Sequence, residues 1–107
     1  MTEEGLFLKL RTLLEKGKYR IRIHAVRHMT EEGFSESDLL EALLGKCRIL
    51  ENYPGEDRCL VAGYFRLGQK AHCPMHAVCD YSEDEVVDIV TAYIPQKPWW
   101  STPTKRG

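Results

Sequence analysis

Apolar positions follow two regimes along the chain. Leu6, Leu10, Leu13 and Leu14 recur at helical spacing with Lys and Arg between them, which predicts a helix over 3–16 ended by Gly17. The stretch Tyr-Arg-Ile-Arg-Ile at 19–23 alternates and reads as a short strand or an extended link into His24. A second helix is expected from His24 to Glu32 with Gly33 as its stop. Ser35 followed by Asp38 resembles a capping box that opens a third helix, with Leu39, Leu40, Leu43 and Leu44 along one face. Gly45 stands where a left-handed closing residue is expected.

From Cys47 onward the pattern is that of strands: 48–53, a Pro54-Gly55 turn, 58–67, a Gly68-Gln69 turn, 71–81, a turn over 82–85, then 86–94. Helices grouped before strands favour α+β over a parallel α/β sheet. The expected architecture is therefore N-terminal helices packed on a four-stranded antiparallel meander, as one domain over 1–98, with 99–107 as an irregular tail. Trp99 and Trp100 stand out in that tail, where they would fold back onto an apolar patch or join a dimer interface. There is no internal repeat and no linker.

Composition narrows this picture without overturning it. The 107 residues, 43% hydrophobic, suit one modest core. No run approaches the roughly 18 apolar residues of a membrane span, and the N-terminus lacks a leader pattern, so the expected compartment is the cytoplasm. Cys47, Cys59, Cys73 and Cys79 form no C-x-x-C pair and read as buried reduced thiols. Net charge is −1, yet the segment 9–28 is strongly basic and 31–57 strongly acidic, which predicts a bipolar molecule or two solvated helix faces.

Alternation then brings candidate chemistry to one side of the sheet. Arg58, Tyr64 and Arg66 share a face of the second strand. Val90, Ala92 and Ile94 read as core in the last strand, which sends Thr91 and Tyr93 to the other side, and His76 joins them if the pairing has no bulge. Arg, His, Thr and Tyr on one face suit metal-free cleavage of RNA by its own 2′-hydroxyl, which needs a base, an acid and cations for the developing charge. His24 and His76 would exchange protons, Arg58 and Arg66 would hold phosphate, and Tyr93 would donate a hydrogen bond or stack on a base. A wet sheet face with no special purpose is the plain alternative. His24 and His28, at H-x-x-x-H spacing, suggest a zinc site completed by Cys59, whereas His72 and His76 on a strand lie too far apart to share an ion.

The blocks "RIRIHAVRHM", "ILENYPGED", "PMHAVCDY" and "DIVTAYIP", with the Leu-rich helix after Ser35, occur in a familiar order and spacing over residues 19–95. The chain resembles the domain of unknown function family 4258, small bacterial proteins related in outline to RelE-like toxins. The resemblance implies helices against an antiparallel sheet whose free face receives RNA, on or off the ribosome, and a small antitoxin as partner. The family's opening block reads H-A-x-x-R-M. Here His24, Ala25 and Met29 match and His28 takes the arginine position, so Arg27 or protonated His28 would supply the phosphate-binding charge. The later blocks match at His76, Thr91, Tyr93 and Pro95. Three readings follow: a toxin-type ribonuclease that needs no metal or other cofactor, a non-catalytic module or homodimer docking protein on a sheet edge or through the tryptophans, and a zinc protein.

Overall fold

The computed structural model describes residues 2–69, 71–96, 100–102 and 105–106. Helix α1 spans Glu3–Glu15; the Thr2 hydroxyl accepts from the Gly5 N–H at its start, and all four predicted leucines are buried. Strand β1 is Tyr19–Ile21. Helix α2, Ile23–Glu32, ends on Gly33 at φ 82°, a left-handed closure that favours glycine. Helix α3, Glu36–Leu44, opens with the predicted capping box between Ser35 and Asp38, both halves formed. Strands β2 (Arg48–Tyr53), β3 (Arg58–Leu67), β4 (Ala71–Asp80) and β5 (Val87–Tyr93) follow, each within a residue of its predicted bounds.

Three expectations need correction: the sheet, the end of α3 and the tail. The sheet is five-stranded and mixed, in the order β1-β5-β4-β3-β2, because β1 adds to the meander's edge in parallel with β5, Tyr19 facing Val87 and Ile21 facing Ile89. The alternation at 19–23 admits a short strand or an extended link, and Tyr19–Ile21 is the strand; its place in the sheet is not legible because its partner lies far along the chain. Gly45 is not left-handed, at φ −90°. The guanidinium of Arg11 reaches across from α1 to the Leu44 carbonyl and, at 2.8 Å, to that of Gly45, closing α3 in place of a left-handed turn.

The helices cover one face of the sheet. α1, α2 and α3 bury Leu6, Leu10, Ala25, Met29, Leu39 and Leu43 in one cluster with Cys59, Val61 and Phe65 of β3, Met75, Ala77 and Cys79 of β4, and Val87, Ile89 and Ala92 of β5. Hydrophobic transfer of these side chains from water is the main force holding the two layers together. Gly63 lets α3 approach β3 closely: a Cβ there would stand 2.4 Å from the Ala42 carbonyl oxygen. Cys59, Cys73 and Cys79 are buried and Cys47 is half-buried, all as free thiols. Cys59 and Cys79 are direct cross-strand partners, and the hydrogen bond between them together with burial holds the Cys79 thiol well above its usual range.

In the tail, read as irregular from sequence, Trp100–Thr102 (β6) pairs antiparallel with Lys105–Arg106 (β7). Trp99 lies outside the described residues. No helix among the described residues is long and apolar enough to cross a membrane.

Candidate functional site

The sheet face turned away from the helices is laid out by strand register. Residues directly opposite one another in a ladder share a face, so the pairings define successive rows: Arg58 with Asp80 and Asp88, then Leu60 with Val78 and Thr91, then Ala62 with His76 and Tyr93, then Tyr64 with Pro74, then Arg66 with His72. The central row extends to the outer strand, where Arg48 faces Ala62. Arg48, Ala62, His76 and Tyr93 thus form one line across four strands.

Two bulges produce that line. Counting back from the β2–β3 hairpin, where Tyr53 faces Arg58, would put Arg48 opposite Gly63 on the helix side. The register slips between Ile49 and Glu51, leaving Leu50 unpaired and turning Arg48 to the open face. A second slip omits Val90, so Cys79 faces Ile89 but Val78 faces Thr91. Val90, expected in the core, is half-buried at this bulge and lies outside the core cluster. The slip is what allows Asp88 and Tyr93, an odd number of residues apart, to share a face, and it brings Tyr93 directly opposite His76, a pairing the sequence reading had made conditional on an unbulged ladder.

His76 is completely buried, whereas Tyr93 and Thr91 are half-buried. The His76 Nδ1 and Tyr93 Oη lie 3.3 Å apart, with their rings edge to face at 5.3 Å between centroids. The separation is at the long end for a hydrogen bond, and catalytic contacts commonly tighten only when substrate arrives.

The two arginines predicted to hold phosphate sit four residues along β3 on either side of Ala62, roughly 14 Å from the His76 row in opposite directions. Arg58 is committed elsewhere, its Nε donating to Asp80 at 3.2 Å. Arg66 is exposed and forms no ion pair among the described residues; its backbone N–H donates to Glu41 at 2.8 Å. On α2, His24 and Arg27 are exposed and His28 is half-buried, with the two imidazoles 4.6 Å apart. These three occupy the helical layer, on the other side of the sheet from His76 and Tyr93. The fold therefore brings together His76, Tyr93 and Thr91, and it does not bring His24 to them. The zinc set is not assembled: Cys59 is buried on β3 while α2 lies over β5, and no three metal-ligating side chains cluster among the described residues.

The Arg58 end of the face is a closed ionic network. Asp80 and Asp88, like charges directly opposite each other, are compensated by Arg20, Arg22 and Arg58. Arg20 donates to Asp88 at 2.7 Å and also meets Glu83; Arg22 reaches Asp88 at 2.9 Å and Asp80 at 3.5 Å. The hydrogen bond from Arg20, helped by Arg22 and opposed by burial, holds the Asp88 carboxyl below the usual carboxylate range. Burial pushes Asp80 up, but the Ser82 hydroxyl and N–H, Arg58 and Arg22 together outweigh it and leave Asp80 lowered as well.

Sequence reasoning passed over Arg48 as a site residue and gave Tyr64 and His72 no role. Arg48 lies in the segment whose net charge is acidic, and a slipped register is not visible in alternation. Most of the basic segment is spent on structure: Lys9 donates to the Tyr81 carbonyl, Arg11 closes α3, and Arg20 and Arg22 join the network.

Compared with known proteins, the chain matches the family described as Domain of unknown function (DUF4258) over residues 21–94, more than half its length, and it belongs to that family. No curated protein and no protein of solved structure matches it. The matched stretch runs from the end of β1 past β5 and so contains the central row whole.

Proposed function

We propose that this DUF4258 protein is a metal-independent, toxin-type endoribonuclease whose open sheet face receives RNA. The observation that carries the reading is the central row. A half-buried tyrosine hydroxyl is backed by a buried imidazole at 3.3 Å, and on the same row lies an exposed arginine, two strands or roughly 10 Å from His76. Ala62 stands between them in the row and is buried, as His76 is.

In this reading the RNA 2′-hydroxyl attacks the adjacent phosphorus and the bond to the 5′-oxygen breaks, leaving a 2′,3′-cyclic phosphate and a 5′-hydroxyl. Tyr93 Oη gives a proton to the leaving 5′-oxygen, and His76 Nδ1, behind it, returns a proton to the tyrosine. The proton released by the 2′-hydroxyl goes to a water at the open face. Arg48 stabilises the charge that develops on the phosphate oxygens, a task a planar guanidinium suits. Thr91, on the adjacent row, borders the same spot. Arg58, already neutralised, holds the sheet rather than the substrate. An antitoxin partner would act by covering this face.

The test is incubation of the purified chain with mixed cellular RNA in EDTA, alone and with ribosomes, beside Tyr93→Phe and His76→Ala. Cleavage by the wild type, lowered about 100-fold or more in Tyr93→Phe, is expected for loss of a general acid. His24→Ala, altered in the other layer, is expected to cleave as the wild type does. RNA left intact by the wild type under both conditions, or cleaved equally by Tyr93→Phe, would sink the proposal.

A further inference from the structure

Next to the acid–base row the same face has a second region, which shares Arg48 with that row and otherwise takes no part in the cleavage chemistry. Tyr64 projects from β3 next to that row and is 45% exposed, although its neighbours Gly63 and Phe65 are buried on the helix side. Arg66 lies two residues further along the same face, opposite the exposed His72. Lys46 and Arg48 reach it from the other side, both exposed, and neither forms an ion pair among the described residues. Glu41, beside Arg66, accepts from the Arg66 N–H at 2.8 Å, and Glu51 follows Arg48 on the same face of β2, opposite Leu60. Two hollows adjoin the tyrosine: one of about 310 Å³ lined by Lys46, Cys47, Arg48 and Ala62, the other of about 280 Å³ lined by Glu41, Gly45, Lys46 and His72.

An exposed ring between cations that form no ion pair among the described residues has a definite complement. Cations track a phosphate backbone, and a ring standing on a flat sheet takes a base on its face, but only a base already out of a helical stack. A duplex satisfies the charges and leaves the ring idle. The close approach of α3 to Gly63 fixes this geometry, since the turn after α3 carries Lys46 to the side of Tyr64.

We propose that Tyr64, flanked by Lys46, Arg48, Arg66 and His72, is a holding site for single-stranded RNA, with a base stacked on the Tyr64 ring and the backbone along the cations. It rests on the reading of this face as RNA-binding and assigns that face its substrate class. The strand enters over β3 at Arg66 and leads to the His76–Tyr93 row.

The test is fluorescence anisotropy of the whole chain with a labelled 2′-O-methyl oligouridylate, which lacks the attacking hydroxyl and stays intact, against a 2′-O-methyl duplex of equal length. Single-strand binding tighter than duplex binding and weakening with salt is expected. Tyr64→Ala should lower single-strand affinity about tenfold or more with the far-UV circular dichroism unchanged, and Tyr64→Phe should keep it, because stacking needs the ring and not the hydroxyl. Arg66→Ala should reduce the salt slope by about 0.7. Equal binding of duplex and single strand, or an unaffected Tyr64→Ala, overturns the holding site. Absence of any RNA binding overturns it together with the functional reading. Tyr64-dependent binding by a chain that cleaves nothing supports the holding site while the catalytic reading falls.

Discussion

Arg58 and Arg66 are the same residue type on the same face of the same strand, and they have opposite employment. Arg58 is tied to Asp80 within a network that stitches β1, β5, β4 and β3 together, whereas Arg66 stands in the open beside an exposed tyrosine and histidine. The two ends of the sheet face differ in the same sense. At one end every arginine has a carboxylate partner; at the other the cations have none among the described residues. A charged side chain therefore reports function only after its neighbours are known, since a paired arginine contributes to the fold and an unpaired one is available to a ligand.

The most severe way to break the open end is from beneath. Gly63→Ala would drive a methyl into the α3 backbone at 2.4 Å, and overpacking of this kind costs about 3 kcal/mol, expected as a lowered Tm together with weakened RNA binding. The closed end should yield next. Asp88→Ala strips Arg20 and Arg22 of their shared partner and leaves β1 held to β5 by the backbone ladder, a loss of about 2 kcal/mol for charge-assisted hydrogen bonds, measurable by denaturant unfolding.

Acid should attack the same end selectively. Asp80 and Asp88 have lowered pKa values in the folded chain, so their contribution is fully present above the ordinary carboxylate value of about 4 and is lost as pH falls through the folded values below it. The expected outcome is stability that does not change through these groups between neutrality and about pH 5, then declines below about pH 4, with a shallower decline in Asp88→Asn. A decline already under way near neutrality in the wild type but absent from Asp88→Asn would contradict this.

The sharpest comparison has the smallest energies. Arg58→Ala is expected to cost about 1 kcal/mol of stability, since Asp80 keeps Arg22 and Ser82 as partners. Arg66→Ala should stay within about 0.5 kcal/mol of the wild type. In RNA binding the order reverses, with Arg66→Ala weakened and Arg58→Ala unchanged. Equal effects of the two substitutions in either assay would erase the distinction between the ends.

Much of this architecture was legible in the residues. Leu6, Leu10, Leu13 and Leu14 marked α1, Ser35 and Asp38 marked the start of α3, and the Pro54-Gly55 and Gly68-Gln69 turns bounded the strands, because caps, turns and amphipathic periods are local and act within a few residues. The placing of His76, Thr91 and Tyr93 on one face came from the same alternation. Less legible were the roles of the cations. The basic segment looked like the charged surface of the protein, yet its Arg11, Arg20 and Arg22 are occupied by carbonyls and carboxylates distant in sequence, and Arg48, from the acidic segment, reaches the central row instead.

Local pattern by itself thus determined the helices, the four-strand meander and the side of the sheet on which polar chemistry would appear, since each depends on neighbours a few residues apart. Only the tertiary structure decided that β1 joins the sheet in parallel, that bulges at Leu50 and Val90 turn Arg48 and Tyr93 to one row, that His24 and His76 lie in different layers, and which arginines are paired. The physical reason is that register and ion pairing are settled between strands brought together by burial of the core, and a one-residue slip, invisible in composition or periodicity, moves a side chain from one face to the other.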